Sequence, residues 1–236
     1  LAIEKRREAR EIYPEIPLDT YVYRENREDL SPLKPGRPLR IGFLTIAGNP
    51  LNWGHVLIAL IAMNRLELDT VVFRVQGEIK YKRVPKSDKV EAGPRHDLVE
   101  QIADQFFPLF RYTDVGLKDD HEGMEGMFEF SGALNPDKNI HFFYIIGSET
   151  RERTLNYIQM LYEKYKAFGG LPANRNLDYV LMQRFEFGRQ FTLEEAQRFM
   201  QEGARQAQAD HVIPVHFLQG RDVDLNISST YYREGG

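Results

Sequence analysis

Leu39-Arg40-Ile41-Gly42-Phe43-Leu44-Thr45-Ile46 runs into Ala47-Gly48-Asn49-Pro50-Leu51-Asn52-Trp53-Gly54-His55, and then into the apolar stretch Val56 to Met63. The first eight residues are a short, mostly apolar run bounded by turn formers, the pattern of a strand buried in the middle of a sheet. From Gly54 to about Arg65 the chain is apolar nearly all round, as a helix packed between a sheet and its neighbours would be. A strand, a Gly/Asn/Pro turn and a helix in that order open a strand–helix–strand unit.

Working outward, the alternation continues. Leu68 to Val75 is a β-branched strand candidate, and Leu98, Val99, Ile102, Ala103, Phe106 and Phe107 recur at helical spacing between residues 95 and 107. Phe110 to Val115 reads as a third strand. Lys118 to Gly126 reads as a loop whose Met124, with Met127 just beyond, covers an apolar edge. Ile140 to Ile146 is a strand running into Gly147-Ser148-Glu149, followed by a helix with Leu155, Ile158, Leu161, Tyr162 and Tyr165 on one face. Leu177 to Phe187 is a further strand. Thr192 and Glu195 form a capping box that opens a helix burying Leu193, Ala196, Phe199 and Met200. His211 to Phe217 is the last strand. The expected fold is α/β: a doubly wound, Rossmann-like parallel sheet with helices on both faces. Ligands then belong at the carboxyl ends of the strands, in the loops after the first and fourth.

Residues 1–38 stand apart as an N-terminal extension. Glu4 to Glu11 is almost continuous charge, and Pro14, Pro17, Pro32, Pro35 and Pro38 interrupt the stretch after it, leaving room for one short helix at residues 2–11. Residues 39–236 form the main domain, in keeping with 236 residues against roughly 100–200 per domain. The longest apolar run, Val56 to Met63, falls far short of the roughly 20 residues that span a bilayer. A net charge of −4 argues against the broad basic surface of a duplex nucleic-acid binder. With no cysteine, thiolate metal sites and a cysteine nucleophile are excluded. The opening residues lack the layout of a secretory signal, so a soluble cytoplasmic protein is expected.

Three stretches carry candidate chemistry. Gly54, at a helix start, lets a phosphate approach the free N–H groups, and His55 in the first turn can reach the same anion; the alternative is a histidine that satisfies a local hydrogen bond. Ile227-Ser228-Ser229-Thr230-Tyr231-Tyr232-Arg233 offers hydroxyl and N–H donors with a planar cation one turn on, or else an N-cap with a solvated arginine. Lys80, Lys82 and Lys86, with Arg95 and His96 beyond, form a charge run that by itself reads as a solvated face. His141, His211 and His216 show no metal-ligand spacing and are expected at core or edge positions, so no protein-held metal is expected.

Together these stretches resemble the nucleotidyltransferase superfamily that contains the nicotinate and nicotinamide mononucleotide adenylyltransferases. Its pattern Gly-x-Phe-(Asp/Asn)-Pro-x-(His/Thr)-x-x-His is met by Asn49-Pro50 and His55, with Asn52 at the first His/Thr position and Gly48 in place of the phenylalanine. Ile227 to Arg233 resembles the superfamily's Ile-Ser-Ser-Thr-x-x-Arg element, and Tyr144 to Glu149 its strand and Gly-Ala-Asp turn, with Glu149 replacing the aspartate. The resemblance spans about residues 39–233. It implies transfer of AMP from ATP to nicotinate or nicotinamide mononucleotide with release of pyrophosphate, as in NAD biosynthesis, with Mg²⁺ as cofactor.

In that reading His55, Asn52 and Lys82 are catalytic. Asn49, Gly54, Gly147, Glu149, Ile227, Ser228, Ser229, Thr230 and Arg233 hold the nucleotide, while Trp53 and Tyr157, or Tyr162, meet the acceptor's ring. The partners implied are ATP and a phosphorylated acceptor, with no nucleic acid or membrane, and with room for a homo-oligomer. Two alternatives stay open: transfer to another phosphorylated small molecule, and a nucleotide-binding regulator without turnover. Asn52, Glu149, and Thr45 and Ile46 in place of glycines motivate the second.

Overall fold

The computed structural model describes residues 36–48, 51–77, 91–115, 123–147, 151–183 and 192–219. Among the described residues six strands alternate with five helices: β1 (Leu39–Ile46), α1 (Trp53–Leu66), β2 (Thr70–Val75), α2 (Ala92–Gln105), β3 (Phe110–Thr113), α3 (Gly123–Ala133), β4 (Ile140–Gly147), α4 (Arg151–Ala167), β5 (Arg175–Gln183), α5 (Leu193–Gln206) and β6 (Val215–Gln219). All pairings are parallel and the strand order is β3-β2-β1-β4-β5-β6. The chain therefore winds outward from β1 to one edge, returns to the middle, and winds out to the other. The order reverses between β1 and β4, which sit side by side with Phe43 opposite Tyr144.

Alternation along β1 divides the core in two. Leu39, Ile41 and Phe43 pack with α3, α4 and α5 on one face, whereas Leu44 and Ile46 pack with α1 and α2 on the other. Helices cover both faces, which is why nearly every position of β1 and β2 is buried and why both strands read as apolar runs. Where the chain enters β1, the Asp69 carboxylate accepts the N–H of Arg40 at 2.8 Å and pairs with Arg37.

Several expectations are corrected. Lys118 to Gly126 is not all loop: α3 begins at Gly123, and Met124 and Met127 lie in the core rather than over an edge. The reason lies in the glycines. A Cβ on Gly123 would sit 2.5 Å from the Thr45 methyl, and one on Gly126 3.0 Å from Arg74 Nε. They let the helix lie directly on β1 and β2, at a cost in propensity that disguises it. Leu193 is 42% exposed at the first position of α5, though the Thr192–Glu195 capping box and the burial of Ala196, Phe199 and Met200 are as expected. β2 starts at Thr70, β3 ends at Thr113, and β6 starts at Val215 rather than His211. Residues 1–35, which hold the expected short helix, and residues 184–187 lie outside the described residues. Among the described residues no helix is long and apolar enough to cross a membrane.

Candidate functional site

At the carboxyl end of β1 the chain passes through Gly48, whose φ of +66° is a left-handed conformation that favours glycine. It then reaches Asn52, the N-cap of α1. The Asn52 side-chain oxygen accepts the N–H of His55 at 3.2 Å, while the Asn52 N–H donates to His55 Nδ1 at 3.3 Å. This is a reciprocal capping box in which histidine takes the part usually played by Glu or Gln. The arrangement has a chemical consequence. With Nδ1 acting as acceptor, the proton of the neutral imidazole sits on Nε2, which makes Nε2 the donor.

Asn52 is only 8% exposed, and its Nδ2 has no hydrogen-bond partner among the described residues. A buried amide donor thus stands beside the N–H groups of a helix start that has no acidic residue in its first turn. Such a collection of donors suits an anion. Gly54 is buried in that turn, and Trp53 is 61% exposed beside it.

Gly147 ends β4 across the switch point, paired with Met182 of β5. Tyr157 is exposed on α4. Tyr162 is not available to a ligand: it is buried, and its hydroxyl accepts the N–H of Ile213 at 2.9 Å. Burial raises its phenol above the ordinary value. Arg95 and His96 lie on α2, the helix expected there, and are buried rather than on a solvated face. His96 Nδ1 meets the Tyr112 hydroxyl at 2.6 Å, and burial together with the neighbouring Arg95 charge pushes its imidazole down to about 4.

Two buried polar groups escaped the sequence reading. Arg74 lies inside β2, fully buried, with Nε donating to the carbonyl of Val115 at 3.2 Å. At the amino ends of β4, β5 and β6, Asp178 sits between two histidines. One carboxylate oxygen bonds His216 Nε2 at 2.7 Å, and the other lies 2.9 Å from His141 Nε2 in a less well aligned contact. Burial pushes this carboxyl up, but the contacts with the two imidazoles outweigh it and hold it at about 2. An arginine within an apolar strand was a readable signal; three residues on three strands were not.

No family model and no curated protein matches the chain. Two solved structures of the Plasmodium falciparum nicotinic acid mononucleotide adenylyltransferase do. They are the complex with APC, at a TM-score of 0.51 and 11% identity, and the complex with NaAD, at 0.52 and 12%. Each likeness covers 83% of this chain and 82% of that one. The chain shares the fold of these two structures.

Within this fold, the structure brings Gly48, Asn52, Trp53, Gly54 and His55 to the carboxyl end of β1, with Gly147 at the end of neighbouring β4. Asn49, Lys80, Lys82, Lys86, Glu149 and the Ile227-Ser228-Ser229-Thr230 stretch with Arg233 lie outside the described residues.

Proposed function

We propose that the chain transfers AMP from ATP to nicotinate or nicotinamide mononucleotide, releasing pyrophosphate. The observation that carries this reading is the Asn52–His55 capping box, which sets an imidazole Nε2–H, a buried amide and helix N–H groups together after β1, next to the switch point. The similarity in fold to an adenylyltransferase seen with NaAD supports it.

In this reaction an oxygen of the acceptor's phosphate bonds to the α-phosphorus of ATP as the bond to the bridging oxygen breaks, and pyrophosphate leaves with the electron pair. The attacking phosphate is already ionised, so the protein needs no activated nucleophile. It has to position the reactants and stabilise charge. His55 and the Asn52 amide would donate to the α-phosphate, and Lys82, Ser228, Thr230 and Arg233 would hold the β- and γ-phosphates. Gly54 would allow the phosphate close to the helix, with Asn49, Gly147, Glu149, Ile227 and Ser229 around the nucleoside. Exposed Trp53 and Tyr157 are the proposed platforms for the acceptor's ring. Magnesium would arrive on the ATP phosphates as part of the substrate. The Asn52 Nδ2 and the N–H groups of the helix start suit an anion such as the ATP phosphates.

Incubation with Mg-ATP and a panel of phosphorylated acceptors, with pyrophosphate and dinucleotide measured, tests the proposal. Release with a pyridine mononucleotide alone is expected. Release only with a different acceptor would replace the substrate, and ATP binding without release would make the chain a nucleotide-binding regulator.

A further inference from the structure

We infer that Arg95 is a positioning residue that clamps the chain segments leaving β1 and β2 into one geometry at the carboxyl end of the sheet. Its effect on turnover rests on the adenylyl-transfer reading above. The side chain is 2% exposed near the start of α2. Nη1 donates to the carbonyls of Ala47 and, at 2.9 Å, Gln76, and Nη2 donates to the carbonyl of Gly77. Ala47 leads through Gly48 to the N-cap of α1, while Gln76 and Gly77 lead from β2 into the stretch that holds Lys80 and Lys82. The two strand ends are also tied directly, Gln76 N–H to Ile46 carbonyl at 2.9 Å.

A guanidinium is a rigid planar fork with five donors, so it can fix three carbonyls relative to one another; an ammonium on a flexible stem cannot impose the same plane. Carbonyls at the ends of parallel strands have lost their ladder partners, and a buried one must find another donor. Arg95 supplies that donor to both segments at once, so the position of one depends on the other.

The molecule holds its own control. Arg175, at the amino end of β5, is buried in the same way. Its Nη1 donates to the carbonyl and hydroxyl oxygens of Ser131, and its Nη2 to the carbonyls of Leu134 at 3.2 Å and Asn135 at 3.1 Å. It staples the end of α3 at the opposite end of the sheet from the candidate site. The chemistry is alike and the place is different.

Arg95→Lys and Arg175→Lys, compared by amide hydrogen exchange and by steady-state pyrophosphate release, separate a clamp from a general stabiliser. Arg95→Lys is expected to speed exchange around residues 44–56 and 73–77 and to lower kcat on the order of tenfold or more, with a smaller change in KM for Mg-ATP. Arg175→Lys is expected to speed exchange around residues 131–140 and to leave kcat within about twofold. Unchanged exchange at residues 44–56 in Arg95→Lys, or equal loss of kcat in both variants, overturns the inference. If the wild type releases no pyrophosphate with any acceptor, the adenylyl-transfer reading falls and the exchange comparison alone decides the clamp. Should Arg95→Lys fail to fold, Arg95→Gln carries the same comparison.

Discussion

Asn52 places two functions on two atoms, and a single substitution can part them. Its oxygen caps α1, and its buried Nδ2 is a donor without a partner among the described residues. Asn52→Asp keeps the cap, since aspartate serves as well there, and adds a charge that the helix start favours. It also removes the donor and puts a negative charge where a phosphate would bind. Thermal stability is therefore expected to hold or rise, while KM for ATP rises about tenfold or more; melting curves beside initial rates decide it. Asn52→Ala, by contrast, loses the cap and about 1 kcal/mol of stability, readable as a lower denaturation midpoint. His55→Ala is expected to lower turnover about tenfold or more with the fold intact. The histidine's local hydrogen bond and its role toward an anion read as alternatives in the sequence, yet they are compatible. One ring nitrogen makes the local bond and thereby assigns the proton to the other, a relation that only the geometry of the first turn can supply.

The Thr192–Glu195 box at the start of α5 was legible because both partners lie within four residues. α3 was not, because the pattern Gly123-Met-Glu-Gly126-Met-Phe puts its apolar residues at helical spacing among residues that disfavour a helix. Those glycines answer to strands distant in sequence. A Cβ on Gly123 meets Thr45 Cγ2 at 2.5 Å and Thr45 Cβ at 2.9 Å, atoms too close to the β1 backbone to swing aside. Gly132, near the other end of the same helix, has nothing within 4 Å of its added Cβ. Gly123→Ala is accordingly expected to destabilise by about 1–3 kcal/mol through overpacking, and Gly132→Ala to stabilise by up to about 1 kcal/mol through propensity. Urea midpoints of the two variants should move in opposite directions. A rise for both would mean that α3 does not press on β1.

At the scale of the whole molecule the two ends of the sheet are built differently. The carboxyl end was foreseeable, since a strand–turn–helix alternation fixes where the switch point falls, and the switch point fixes where donors gather. Nothing local marks the amino end, where His141, Asp178 and His216 come from three strands and meet only through the pairing of β4, β5 and β6. The cluster is tied into the core, with His141 stacked on Phe143 at 4.3 Å and the Arg40 guanidinium 4.6 Å above the Phe143 ring. Its energetic sign is set by the carboxyl. Asp178 titrates at about 2 in the folded chain against 3.8 for the ordinary group, so the native state binds its proton more weakly than the unfolded state does. The stabilisation is therefore complete above about pH 4 and is lost as pH falls through about 2; that gap corresponds to about 2 kcal/mol. Chemical denaturation of wild type and Asp178→Asn between about pH 5 and 2 measures it. The wild type's advantage should be largest at the upper end and shrink steadily toward the lower. A gap independent of pH over that range would show that the carboxylate is not held by the two histidines.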